Sequence, residues 1–213
     1  MRFERARSQM VQGLREGGIT DERVLEAFSR VPREHFIPEA LWSQAYGESP
    51  LPIGERQTIS QPLIVGSMLQ LLQLTGHERV LEIGVGSGYA TALLACLCRW
   101  VYGMERIPAL ARGARQAIES LDLRNVLLRS GDGTLGWREY APFDAILVSA
   151  AAPSLPEPLL DQLSPGGRLI IPVGDDQVQQ LCLVTSTPEG LVQQGFEGCR
   201  FVPLIGRFGW EKI

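Results

Sequence analysis

The residues Val80-Leu81-Glu82-Ile83-Gly84-Val85-Gly86-Ser87-Gly88-Tyr89 divide into an apolar run, a glycine-rich turn and the start of a helix. Val80, Leu81 and Ile83 suit a short strand buried on both faces. Gly84, Gly86 and Gly88 follow at alternate positions. Lacking Cβ atoms, they let the backbone turn sharply and approach a ligand closely. A helix is predicted from about Tyr89 to Leu97, with its free N–H groups facing that ligand. This places a nucleotide-like site at the carboxyl end of the first strand of an open α/β sheet.

Downstream of this stretch, helices and strands alternate regularly. Strands are predicted at Val101–Met104, Val126–Leu128, Phe143–Val148, Leu169–Val173, Leu181–Thr185 and Leu191–Phe196. Helices are predicted from Pro108 to about Leu121 and over Pro158–Leu163, the latter stopped by Ser164-Pro165-Gly166-Gly167. Hairpin-style links at Gly174-Asp175-Asp176 and Pro188-Glu189-Gly190 make at least one late strand antiparallel. The fold class expected is α/β: a doubly wound, mostly parallel, seven-stranded Rossmann-like sheet with an N-terminal helical extension.

Upstream, residues 4–16 form a polar helix closed by Gly17-Gly18. Thr20 or Asp21 can cap a second helix, which places Val24, Leu25, Phe28 and Val31 on one face before Pro32 ends it. Tyr46–Ile59 reads as a long irregular stretch, of the kind that is usually functional or mobile. A further helix carries Ile64, Val65, Met68, Leu69 and Leu72 and ends at Gly76. The chain is therefore read as one domain, 1–213, with an N-terminal helical and lid region at 1–60 and a cofactor-binding core at 61–213.

Composition narrows the classes of function. The 213 residues are 45% hydrophobic and 21% charged, ordinary for a globular protein with a real core. Net charge is −4 with no basic block, which argues against electrostatic capture of nucleic acid or an anionic membrane. No apolar run reaches transmembrane length, and Met1-Arg2-Phe3-Glu4-Arg5-Ala6-Arg7 has no apolar signal core, so a cytoplasmic protein is expected. Cys96, Cys98, Cys182 and Cys199 form no C-x-x-C; free thiols in a reducing compartment are expected, with no metal.

The glycine spacing G-x-G-x-G is one residue short of the dinucleotide pattern G-x-G-x-x-G. Glu82 lies inside the strand, and Glu105 ends the next apolar run, where an acid can accept both ribose hydroxyls. Together these features look like a class I S-adenosylmethionine (SAM) methyltransferase. On that reading the methionine end lies over Gly84–Gly88, the ribose on Glu105 and the adenine beside Asp132. Gly131-Asp132-Gly133 taken alone is also a plain turn.

A longer string is more specific. Val31-Pro32-Arg33-Glu34-His35-Phe36, Thr58-Ile59-Ser60-Gln61-Pro62, Leu81–Tyr89, Gly131-Asp132-Gly133, Pro142-Phe143-Asp144-Ala145-Ile146, Pro165-Gly166-Gly167-Arg168-Leu169 and Phe201-Val202-Pro203-Leu204 together resemble the protein-L-isoaspartate O-methyltransferase family. The resemblance implies methyl transfer from SAM, leaving S-adenosyl-L-homocysteine, to the carboxylate of L-isoaspartyl residues in damaged proteins and peptides. The ester then collapses to a succinimide that hydrolyses partly to aspartate. It implies Ser60 as the catalytic residue. The implied cofactor residues are Ile59, Glu82, Gly84, Gly86, Gly88, Tyr89, Glu105, Asp132 and Gly133. Ile53, Val202, Pro203 and Leu204 are the implied substrate contacts, in a monomer without nucleic-acid or membrane partners. Val85, Ala90 and Ser149 depart from the family pattern, as does the tail Arg207-Phe208-Gly209-Trp210-Glu211-Lys212-Ile213.

The chemistry suits these residues. A carboxylate with a pKa near ~4 is already ionised at neutral pH and needs no general base. What remains is alignment at roughly 3 Å and removal of water. A serine hydroxyl can bind one carboxylate oxygen and leave the other to attack, so Ser60 is given an orienting role. Its place before Gln61-Pro62 equally suits a helix N-cap. Phe201–Leu204 can pair with substrate main chain or seal the core.

Other readings are weaker. The histidines, His35 and His77, and the absence of G-x-S-x-G around Ser60 argue against a serine hydrolase. Ser149-Ala150-Ala151-Ala152-Pro153 stands where nucleic-acid amino-methylating enzymes carry Asn/Asp-Pro-Pro-aromatic. A methyltransferase for another carboxylate or a small molecule, a non-catalytic SAM-binding module, and more distantly an NAD-dependent oxidoreductase are the alternatives.

Overall fold

The computed structural model describes residues 3–175 and 177–211. Met1 and Arg2 of the amino-terminal run, Asp176 of the hairpin link, and Lys212 and Ile213 of the tail lie outside them. Helix α1 (Glu4–Glu16) ends at Gly17. Helix α2 (Glu22–Arg30) is capped by Asp21, whose carboxylate accepts from the Arg23 N–H, and it buries Val24, Leu25, Ala27 and Phe28. The stretch read as irregular, Tyr46–Ile59, contains an antiparallel hairpin, β1 (Leu51–Gly54) and β2 (Gln57–Ile59). Its tip turns through Glu55 and Arg56, at φ of 50° and 57°. Strands this short, broken by Pro52, carry too little alternation to be seen in the sequence.

Helix α3 (Pro62–Leu72) leads into the central strand β3 (Arg79–Ile83). After it come α4 (Tyr89–Leu97), β4 (Trp100–Glu105), α5 (Pro108–Ser120), β5 (Val126–Ser130) and β6 (Phe143–Val148). The chain ends with α6 (Glu157–Leu160), β7 (Leu163–Gly174), β8 (Gln179–Thr187) and β9 (Gly190–Cys199). The strands form a seven-stranded sheet in the order β5-β4-β3-β6-β7-β8-β9. Strands β3 to β7 run parallel, and β8 is antiparallel to both neighbours. The late strands outrun their apolar cores because backbone pairing continues through exposed residues such as Gln180 and Gly198, which pair with each other.

Alternation along the strands sorts the core into two layers. Val80, Val101, Ala145, Leu147 and Ile170 face a layer shared with α1 to α5, so the amino-terminal helices pack into the same core as the sheet. Leu81, Ile83, Tyr102, Met104, Ile146 and Val148 face the opposite layer, with Trp137 and Leu159. Each of the Val, Leu, Ile and Met side chains contributes about 1.5–3 kcal/mol on leaving water. The chain runs outward from β3 to β4 and β5, then returns to β6 on the other side. That reversal opens a crevice between the carboxyl ends of β3 and β6. There the Ser149 N–H donates to the Ile83 carbonyl at 2.8 Å.

Candidate cofactor and acceptor site

Three adjoining cavities occupy the crevice. An inner one of about 40 Å³ is lined by Ile59, Ser60, Glu82, Gly84, Gly86 and Tyr89. A second, of about 100 Å³, is lined by Ile53, Glu105, Arg106, Gly133, Pro203 and Leu204. An outer groove of about 680 Å³ runs past Ser60, Gln61, Gln177, Val178, Arg200, Phe201 and Val202. Thr58 and Ser149 line all three, and Ser60 lines both the inner cavity and the groove.

The glycine turn builds the floor. Gly84, Gly86 and Gly88 all hold positive φ (83°, 57° and 93°), which ordinary L residues avoid. A Cβ on Gly86 would come within 3.3 Å of Ile53 Cδ1, so the hairpin sits directly over the turn. Gly133 faces the second cavity; there a Cβ would lie 2.5 Å from Ile83 Cγ2.

Two acids differ in their hydrogen-bond partners. Glu105 Oε2 accepts from the Gly86 N–H and Oε1 from the Ile107 N–H, both at 2.8 Å, and each oxygen keeps a second lone pair. Glu82 is fully buried; its Oε2 accepts from Thr91 Oγ1 at 2.5 Å and its Oε1 has no partner. Burial pushes Glu82 up to about 8, against the Thr91 hydrogen bond and with a further push from Glu105. Tyr89 is also buried, its hydroxyl unpartnered, and burial raises its pKa.

Ser60 is half-buried, and its hydroxyl makes no hydrogen bond among the described residues. The N-cap reading does not hold: the N-cap position of α3 is Gln61, without a side-chain cap bond. Pro62 at the first helical position leaves one fewer N–H to satisfy.

The Asp132 carboxylate is already engaged within the chain. Its Oδ1 accepts from the Thr134 N–H (2.9 Å) and hydroxyl (2.7 Å), and its Oδ2 accepts from the Arg207 N–H (2.8 Å). The carboxylate thus anchors the tail and does not stand open to the crevice. The tail folds back, with Trp210 Nε1 donating to the Ala151 carbonyl at 3.1 Å.

The segment 201–204 is also committed. The Ala151 N–H donates to the Val202 carbonyl and the Leu204 N–H donates to the Ala151 carbonyl, each at 2.8 Å. The buried Gln179 amide accepts from the Phe201 N–H at 2.6 Å and donates to its carbonyl at 3.2 Å. Pro203 has no N–H, so little main chain remains for a peptide to pair with. Of the expected substrate contacts, all four line the second cavity, and Val202 alone of them also reaches the outer groove. Sequence reasoning gave no site role to Thr58, Ser149 or Gln179. Ser149 was findable, since it follows β6 at the same end of the sheet as the glycine turn.

A mostly parallel sheet whose strand order reverses beside a glycine turn, with an acid at the end of the next strand, defines an α/β nucleotide-cofactor fold of the methyltransferase type. The chain belongs to the protein-L-isoaspartate(D-aspartate) O-methyltransferase family, whose pattern matches residues 5–209. It is 54% identical over 210 residues to protein-L-isoaspartate O-methyltransferase 1 of Syntrophobacter fumaroxidans, covering 98% of both chains. It is 56% identical over 211 residues to the enzyme of Trichlorobacter lovleyi, covering 98% of this chain and 97% of that one. Among solved structures, a protein-L-isoaspartate O-methyltransferase superposes with a TM-score of 0.87 at 29% identity, over 95% of this chain and 67% of the other. A beta-aspartate methyltransferase from Plasmodium falciparum, in complex with S-adenosyl-L-homocysteine, superposes with a TM-score of 0.81 at 28% identity, over 92% and 97%.

Proposed function

We propose that this chain methylates the carboxylate of L-isoaspartyl residues in damaged proteins and peptides, with SAM as donor. The observation that carries this reading is the position of Ser60, whose residue lines both the glycine-floored inner cavity and the outer groove of about 680 Å³.

The residues present fit the donor. Glu82 Oε1, buried and unpartnered at the inner cavity, suits an ammonium group. Glu105, with a spare lone pair on each oxygen, suits the two ribose hydroxyls. Gly133 and Leu204 line the cavity that would take the adenine, and backbone at Gly133, not the engaged Asp132 carboxylate, would meet it. When bound, SAM supplies a methyl group to the acceptor oxygen: the O–CH3 bond forms as the CH3–S bond breaks, and its electron pair stays on sulfur.

The chain's own task is to align and to dry. The Ser60 hydroxyl, free of internal partners, donates to one acceptor oxygen and leaves the other to attack. The β1–β2 hairpin covers the donor. The two inner cavities are far smaller than the ~300–1,000 Å³ of ordinary small-molecule sites, so the donor enters by lifting the hairpin, which then excludes water. We read the chain as a cytoplasmic monomer acting on proteins and not on nucleic acid. The four free cysteines support a reducing compartment, and among the described residues no helix is long and apolar enough to cross a membrane.

Matched peptides carrying L-isoaspartate or aspartate, incubated with methyl-labelled SAM, test the reading. Base-labile label on the isoaspartyl peptide alone is expected. Equal label on both peptides, or on neither, would overturn it.

A further inference from the structure

Arg33 plays no part in the chemistry above, yet it is fully buried. It opens the 3-10 turn Arg33–Phe36. Its Nη2 donates to the Ser60 carbonyl at 2.8 Å, and its Cζ stands 4.9 Å from the centre of the Tyr89 ring. Nε and Nη1 have no hydrogen-bond partner. The adjacent carboxylate, Glu34, is engaged by the Tyr46 hydroxyl and by Arg7. Among the described residues no carboxylate lies within ion-pair distance of Arg33. Burial draws its pKa down while Tyr89 opposes this, and a guanidinium stays charged in any case.

An uncompensated charge is a poor structural device, because an apolar side chain of similar volume usually serves a buried position as well or better. Its two contacts, Ser60 and Tyr89, both line the inner cavity, and Arg33 itself does not. The charge therefore lies one residue behind the place where the acceptor carboxylate is proposed to bind. Little water intervenes to screen it.

We propose that Arg33 is a positioning residue for the reaction: its guanidinium fixes the Ser60 backbone and supplies, from behind it, the positive charge that draws the acceptor carboxylate to the junction of the cavities. This rests on the reading of Ser60 given above. The two contributions separate. The charge favours the anionic acceptor as it binds, so it acts on KM for the peptide. The Nη2 hydrogen bond to the Ser60 carbonyl holds Ser60 in register with the methyl group, so it acts on kcat.

Arg33→Met and Arg33→Lys test this against wild type with the isoaspartyl peptide. Arg33→Met is expected to melt no lower than wild type and to bind S-adenosyl-L-homocysteine within about twofold. Its peptide KM should rise about tenfold or more, the order expected for losing a nearby unit charge, with kcat also lowered. Arg33→Lys restores the charge, but its ammonium ends short of the Nη2 position that bonds the Ser60 carbonyl, so it should recover KM more than kcat. A folded Arg33→Met with wild-type KM, or an Arg33→Lys no better than Arg33→Met in KM, overturns the proposal. If Arg33→Met does not fold, Arg33→Lys decides alone: a near-wild-type KM with lowered kcat supports it, and a raised KM with unchanged kcat overturns it. Inactive wild-type enzyme would instead remove the proposed function, and this inference with it. Active wild type with unaffected variants would remove this inference alone.

Discussion

Glu82→Gln should make the ligand-free protein's stability less sensitive to pH. The Glu82 carboxyl sits in the apolar layer beneath α4, raised by burial from an ordinary 4.5 to about 8. An acid whose folded pKa is raised keeps a proton that the unfolded chain releases. Its favourable state is complete below about pH 4.5, and stability is lost as pH climbs through the window, levelling off above about pH 8. At about 1.4 kcal/mol per unit, the loss is on the order of 3 kcal/mol at pH 7 and 4–5 kcal/mol above pH 8. Glutamine does not titrate, and its oxygen can still accept from Thr91. The melting temperature of Glu82→Gln relative to wild type should therefore climb between pH 5 and pH 9. At about 2–4 °C per kcal/mol for a chain of this size, that climb is on the order of 10 °C. Any fixed penalty from burying the amide shifts the whole curve and leaves the slope. Binding the cationic donor should ionise Glu82, so calorimetry at pH 7 in buffers of different ionisation heat should show a proton released by wild type and none by Glu82→Gln. Melting curves that run parallel from pH 5 to pH 9 would refute the reasoning.

Three further outcomes can be checked on the same protein. Ser60→Ala should keep S-adenosyl-L-homocysteine affinity and lose about 100-fold or more in kcat, since alignment of the acceptor is what the hydroxyl provides; near-wild-type turnover in the folded variant would remove its orienting role. Glu105→Gln halves the acceptor set that serves the Gly86 and Ile107 N–H groups, so S-adenosyl-L-homocysteine affinity should fall about 10- to 100-fold, and a change under threefold would count against a ribose contact. Trypsin should cut after Arg56 at the hairpin tip more slowly once S-adenosyl-L-homocysteine saturates the site; an unchanged rate would argue against a lid.

What was legible in the sequence was whatever one segment determines by itself. The Val80–Tyr89 stretch contains its own strand, turn and helix start, so its place at the sheet's carboxyl end followed from local rules. The antiparallel ending was equally local, since Gly174-Asp175 and Pro188-Glu189-Gly190 are too short to cross over a sheet. What was not legible depended on partners distant in sequence. Asp132 reads as a free acid between two glycines, and only the return of Arg207, 75 residues later, turns its carboxylate away. The hairpin at 51–59 draws its order from packing over Gly86 and not from its own alternation. Gln179 reads as one polar residue in a strand, yet it satisfies both backbone groups of Phe201. Arg33 reads as part of a motif whose purpose no local pattern reveals, because its single hydrogen-bond acceptor lies 27 residues away. The donor's floor is thus written in one continuous segment, while the acceptor's walls are assembled from the hairpin, the end of β6, the β8 strand and the 201–204 segment. Substitutions in the glycine turn should accordingly disable the donor site outright, whereas changes in the walls should alter which peptide is accepted.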